Sequence, residues 1–178
     1  MMDSFHYNIL NLVGRAAENV GYPYYKVTTS ENPQKLHDRE RVFCYELYHR
    51  MRQIQDNYCK DLTINGELDK SGRLDYDSEK PDFLFHIPGT DNHNEAIIEV
   101  KNVLQVEADL KKINVFIKHH KYKVGILFVY NHSLIAVEKF IKKNNELFDI
   151  ECKDKIYIIA GNDPAHIKCK SLMEITGG

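Results

Sequence analysis

The chain has 178 residues, 43% of them apolar, with 11 Tyr, 8 Phe and no Trp; this predicts one globular domain, 1–178, that buries its own core without a metal or a disulfide. Its 24 basic and 26 acidic residues give a net charge of −2, which argues against a protein whose main asset is a basic surface but leaves room for a basic rim around an acidic site. Cys44, Cys59, Cys152 and Cys169 form no C-x-x-C pair, so reduced thiols in a cytoplasmic protein are expected rather than a zinc module, and no basic leader or run of roughly 18 apolar residues suggests a signal peptide or a membrane span.

A first helix is predicted over about 3–20, with Asp3 or Ser4 as cap and Phe5, Ile9, Leu12, Val13, Ala16 and Val20 at helical spacing. Gly21 and Pro23 stop it, and KVTTSENPQK (26–35) reads as a polar loop. A second helix is predicted from about Leu36 to Tyr58, with Leu36, Phe43, Cys44, Leu47, Met51 and Ile54 as its apolar stripe. At 100° per residue Glu40 falls at the centre of that stripe and Glu46 well off it. LTINGELDK (62–70), PDFLFHI (81–87) and AIIEVK (96–101) read as three strands of an antiparallel meander, joined by the turn SGRLDYDSE and the loop PGTDNHNE. A helix over about 105–121 carries Val106, Leu110, Ile113 and Ile117 on one face. VGILFVY (124–130) is an uninterrupted apolar strand suited to a sheet covered on both faces. A helix over about 133–147 and a last central strand, IYIIA (156–160), follow, and the tail has no clear pattern. The expected architecture is α/β: a mixed central sheet, three-strand antiparallel meander plus parallel strands, flanked by helices, with its core over about 36–160.

Ionisable residues sit where two of these strands should be packed. Side chains alternate along a strand, so Ala96, Ile98 and Val100 share one face and Ile97, Glu99 and Lys101 the other, the last two about 7 Å apart. If PDFLFHI and AIIEVK form a hairpin, Asp82 at the start of one meets Glu99 and Lys101 at the end of the other. Two carboxylates held close tolerate each other best around a cation. A few hard oxygen ligands with room for water and phosphate describe a Mg2+ or Mn2+ site. A lysine beside it can orient or deprotonate water, or offset charge developing on a phosphoryl group.

Pro81-Asp82, sixteen intervening residues, and then Glu99-Val100-Lys101 resemble the PD-(D/E)xK nuclease superfamily, the restriction-endonuclease-like fold. Glu40, followed by Phe43 and Leu47, resembles the glutamate that many relatives carry near the start of the preceding helix, and the element order agrees over about 36–130. The resemblance implies Asp82, Glu99 and the backbone carbonyl of Val100 as metal ligands, Lys101 as the catalytic lysine, and Glu40 as a supporting acid that reaches the metal directly or through water; Glu46 is a weaker rival for that last place. It implies a Mg2+-dependent hydrolysis of phosphodiester bonds, with DNA as the expected substrate. A homodimer would suit double-strand cutting.

Ordinary readings compete with each assignment. Asp82 can cap a turn, Glu99 and Lys101 can be a solvated ion pair, and Glu40 can be a first-turn acid favoured by the helix dipole. Glu67, Lys111, Lys112 and His86 are candidate substrate contacts, although His86 also suits a satisfied core position and Asp69 suits a turn. Lys111, Lys112, Lys118, His119, His120, Lys121 and Lys123 form a basic run that is either a solvated face or a phosphate-backbone contact, and Tyr45–Arg50, with Arg52, would flank the same groove. The alternative function is a non-catalytic nucleic-acid-binding module or complex subunit that retains the nuclease fold.

Overall fold

The computed structural model describes residues 4–28, 30, 34–66, 80–90 and 92–177. The chain runs through α1 (Ser4–Glu18), β1 (Lys26–Thr28), β2 (Leu36–Asp38), α2 (Glu40–Ile54), α3 (Asp56–Cys59), β3 (Thr63–Gly66), β4 (Phe83–His86), β5 (Asn94–Lys101), α4 (Glu107–His119), β6 (Val124–Tyr130), α5 (Leu134–Phe148), β7 (Ile156–Gly161), β8 (Ile167–Ser171) and α6 (Leu172–Thr176). Six strands form one sheet in the order β3-β4-β5-β6-β7-β8, and β1 and β2 form a separate small hairpin. β3, β4 and β5 are antiparallel neighbours, β5, β6 and β7 are parallel, and β8 is antiparallel to β7. This is the mixed α/β sheet that the sequence predicts, with helices on both faces.

Alternation along the strands divides the core in two. Ala96, Ile98 and Val100 of β5, with Ile126, Phe128 and Tyr130 of β6, pack beneath α1 and α2. Ile97 of β5, with Leu127 and Val129 of β6, packs beneath α4 and α5. β6 is buried along its whole length, which is why its sequence shows no polar alternation. Phe43 fixes α2 to the sheet: its ring stacks on Tyr130 at 4.1 Å and meets the Phe128 ring edge-on at 5.6 Å. Such pairs add to the energy of burial, and here they set the height of the α2 N-terminus above the ends of β5 and β6. On the other face α4 sits unusually close to β6, because a Cβ on Gly125 would lie 2.1 Å from Ile113 Cγ2.

The second helix does not start at Leu36. Leu36 belongs to β2, Arg39 is extended (φ −122°, ψ 90°), and helix begins at Glu40. Leu36 stands seven residues before Phe43 and so happens to be in phase with the helical stripe. The predicted loop 26–35 accordingly begins as a strand, Val27 pairing with His37. The helix also ends early, at Ile54. Gln55 is buried and its side chain donates to the carbonyls of Cys59 and Leu62, turning the chain into α3 and β3. The predicted tail is β8 and α6, the latter started by a capping box of Ser171 and Glu174. The turn SGRLDYDSE, with Glu67 and Asp69 before it, lies outside the described residues, as does Asp3.

Candidate active site

The first carboxylate is placed by the strand pairing. β4 and β5 pair with Phe83 opposite Ile98; carried on by one residue, that register sets Asp82 across from Glu99. Asp82 Oδ2 accepts the Val100 backbone N–H at 2.7 Å. One residue further on, the register would bring Pro81 opposite Val100, and a proline has no N–H to offer. A strand residue directs its N–H and C=O to the same side, so Val100 turns its carbonyl toward the edge where Asp82 already occupies its amide. Glu99 itself is 1% exposed. Its Oε2 accepts from Lys112 Nζ at 3.0 Å, while its Oε1 is buried with no hydrogen-bond partner among the described residues.

Lys101 leaves the end of β5 between two other carboxylates. Its ammonium lies 3.3 Å from Glu40 Oε1 and 3.4 Å from Asp109 Oδ1. Glu40, the first residue of α2, also accepts the Asn102 N–H on its other oxygen at 3.3 Å. The Asn102 carbonyl in turn meets His132 Nε2 at 3.1 Å, so the chain leaving β5 is held from α2 and from the loop after β6. Asp109, in the first turn of α4, is 5% exposed.

The electrostatics follow from burial and proximity. Burial, aided by the charge of Asp82, pushes the Glu99 carboxyl up to about 8. Burial also raises Asp82, though the Val100 amide and Lys101 oppose the rise. The charge of Asp82 helps keep the proton on Glu99. For Lys101 burial acts to lower the pKa, but Asp109 and Glu40 outweigh it and hold the ammonium well above its ordinary value. The Cys44 thiol, one helical turn beyond Glu40, is pushed strongly upward by burial and then by Asp82 and Glu40, so it stays protonated.

Asp82, Glu99, Lys101 and Glu40 thus lie in one cluster, joined by Asp109, Lys112 and Cys44. They do not converge as a trio of ligands: among the described residues no three His, Cys, Asp or Glu side chains are grouped to hold a metal. Glu40 is drawn to Lys101 and Asn102, and Glu46 is taken by Arg50 at 2.7 Å. Asp82, Glu99 and the edge at Val100 nevertheless suit a cation that needs few protein oxygens and keeps its water, and the orphaned Glu99 Oε1 is a vacant donor for one. With every group ionised, four carboxylates face two ammonium groups, an excess of two negative charges.

The remaining predicted residues separate. Lys112 turns inward to Glu99, whereas Lys111 pairs with Glu107 on the exposed side of α4 at 2.7 Å. Lys118 and Lys123 pair with Glu151 and Glu95. His86 is buried, its Nε2 2.6 Å from Asn65 Oδ1. His120 is buried too, its ring edge-on to Phe116 at 4.9 Å. Glu67 lies outside the described residues. Beside Asp82, α2 and the ends of β3 and β4 enclose a cleft of about 390 Å³, walled by Tyr45, Tyr48, Gly66 and Phe83. Asp109, Cys44 and His132 are the members of the site neighbourhood that sequence reasoning missed.

No family model matches the chain, and no curated protein matches it. Among solved structures, a chain of the CdiA-CT/CdiI toxin and immunity complex from Burkholderia pseudomallei superposes over 82% of this chain and 96% of its own length, at 12% identity and a TM-score of 0.33. A likeness at that level assigns no function. No helix among the described residues is long and apolar enough to cross a membrane.

Proposed function

We propose that the chain is a metal-dependent nuclease of the PD-(D/E)xK kind its sequence resembles, hydrolysing phosphodiester bonds in DNA with Asp82, Glu99, Lys101 and Glu40 as its active centre. The observation that carries this reading is the clip of Asp82 onto the Val100 amide, beside a buried Glu99 with an unpartnered oxygen. Charge of this kind is expensive to bury without a compensating cation, and once Glu99 gives up its proton the cluster's two surplus negative charges would match the charge of one divalent cation.

In this reading Asp82, Glu99 and the Val100 carbonyl hold Mg2+ or Mn2+. The bound ion supplies a Lewis acid for the phosphoryl oxygen and lowers the pKa of water. Lys101 stays charged between Glu40 and Asp109, which suits it to stabilise negative charge developing on phosphate rather than to act as a base. Glu40 positions it: one oxygen takes the ammonium and the other the amide of the next residue. The test is divalent-dependent cleavage of plasmid and linear DNA by the purified protein, lost in Asp82→Ala and in Lys101→Ala. Cleavage that persists in both variants sinks the assignment.

One observation favours a second reading, a nucleic-acid-binding module that keeps the fold without the chemistry. Both lysines already have carboxyl partners: Lys112 donates to Glu99 at 3.0 Å, and Lys101 lies between Glu40 and Asp109. Titration calorimetry with Mg2+ and Mn2+ separates the two, since the module requires no ion and the nuclease does.

A further inference from the structure

We propose that the cleft between α2 and the ends of β3 and β4 is a nucleobase subsite that takes one unpaired base next to the scissile phosphate; the proposal rests on the nuclease reading and narrows its substrate to single-stranded or locally unpaired nucleic acid. Asp82 belongs both to the carboxylate cluster and to the wall of this cleft, so a strand whose phosphate reached the carboxylates would pass a neighbouring base across its mouth. The volume, about 390 Å³, is near the small end of ligand sites and suits one planar group. A base in a duplex shows only its edge, so it must leave the stack to enter such a site.

The walls suit stacking. Tyr48 is fixed in place: its hydroxyl donates to the Ile64 carbonyl at 3.3 Å, and its ring lies 13° from parallel with Phe83 at 6.3 Å. Tyr45, three residues earlier on α2 and so on the same side of the helix, is 62% exposed. A large aromatic that buries so little contributes little to the fold, but it offers a π face to a base whatever the base's identity. Opposite, Gly66 lines the cleft without a side chain. A Cβ there would already lie 3.7 Å from the Phe83 ring and 3.5 Å from the Asp82 carbonyl, and a longer side chain would reach over that ring.

The probe is a single-stranded DNA oligomer with one 2-aminopurine, titrated in Mg2+ against the Lys101→Met protein, which keeps the carboxylates. The expected result is quenched 2-aminopurine fluorescence on binding, and weaker binding without quenching for the fully paired form of the same oligomer. Tyr45→Ala added to that background should weaken binding roughly 5- to 150-fold and abolish the quenching, the range that one base–aromatic stack provides. Tyr45→Phe should retain both, and Gly66→Leu should block the cleft with the same loss. Unchanged affinity and fluorescence in both Tyr45→Ala and Gly66→Leu overturn the subsite, as does equal quenching in the duplex. Cleavage by the wild-type chain reports on the other reading separately. Asp82-dependent cleavage indifferent to Tyr45→Ala removes the subsite alone. Tyr45-dependent quenching in a protein that never cleaves removes the nuclease alone.

Discussion

Asp82 Oδ2 accepts the Val100 N–H at 2.7 Å, so a side chain from the start of β4 occupies a hydrogen-bonding position on β5 beyond the point where the ladder stops. The bond ties the two halves of the Pro81-Asp82 and Glu99-Val100-Lys101 pattern together and makes Asp82 part of the fold as well as of the site. Asp82→Ala should therefore cost about 1–3 kcal/mol, the penalty for an unsatisfied backbone donor. Asp82→Asn retains an acceptor and should stay within about 1 kcal/mol of wild type. Both should lose divalent-dependent cleavage. Urea unfolding beside a plasmid assay checks the pair, and an Asn variant as unstable as the Ala variant would mean the bond is not what Asp82 contributes.

Glu99 makes stability depend on pH. Its carboxyl is raised from the ordinary 4.5 to about 8 by burial and by Asp82. The folded state thus holds this proton more tightly than the unfolded chain, so its contribution is fully present below about pH 4.5 and is lost as pH rises through 8. Glu99→Gln removes the titration and should be more stable than wild type by about 2–4 kcal/mol at pH 9, with the gap closing near pH 5. Because a metal ligand must be deprotonated, binding Mg2+ near pH 7 should release about one proton. Calorimetry in buffers of different ionisation enthalpy reads that number. Release of no proton would dissociate Glu99 from the cation.

The two partners of Lys101 differ in exposure, and their variants should differ accordingly. Glu40 is partly exposed, at 32% of its side chain, while Asp109 is at 7%. Glu40→Gln should shift stability by less than about 1 kcal/mol, as for a solvent-screened pair. Asp109→Asn, which leaves Lys101 short of a buried counter-charge, should cost more. If Lys101 acts on the transition state, Lys101→Met should lower kcat by roughly 100- to 1,000-fold with KM little changed. Steady-state kinetics on a short fluorogenic DNA test this, and a loss confined to KM would make Lys101 a binding residue.

Much of this architecture was legible in the sequence, for physical reasons that also explain what was not. β6 is bounded where its apolar run is bounded, because burial on both faces leaves no ambiguity of period. The Asp82–Glu99 meeting followed from strand alternation and a hairpin. β1 and β2 were hidden because three residues cannot display alternation, and Leu36 was in phase with α2. Asp109 was hidden because an acid in the first turn of a helix is ordinary; only the tertiary approach of Lys101 distinguishes it. Lys111 and Lys112 each lie about 100° from one residue of the α4 stripe, so helical phase alone could not tell which would turn toward Glu99.

The seat of α4 is the remaining lever on the site, because the helix carries both Asp109 and Lys112. A methyl group at position 125 would lie 2.1 Å from Ile113 Cγ2 and 3.2 Å from Ile117 Cδ1. Ile113 is fully buried and its Cγ2 is fixed directly to Cβ, so Gly125→Ala should push the helix away from the sheet. It should destabilise by about 1–3 kcal/mol, the usual cost of overpacking. It should also weaken Mg2+ binding at the Asp82–Glu99 pair, since Lys112 and Asp109 move with the backbone. Ile113→Ala alone should cost about 2–5 kcal/mol as a cavity. Combined, the two changes remove the clash and fill part of the void, so the double variant should be more stable than the sum of the singles by at least about 1 kcal/mol. Urea unfolding of the four proteins measures the coupling, and strict additivity would show that Gly125 does not set the distance between α4 and the sheet.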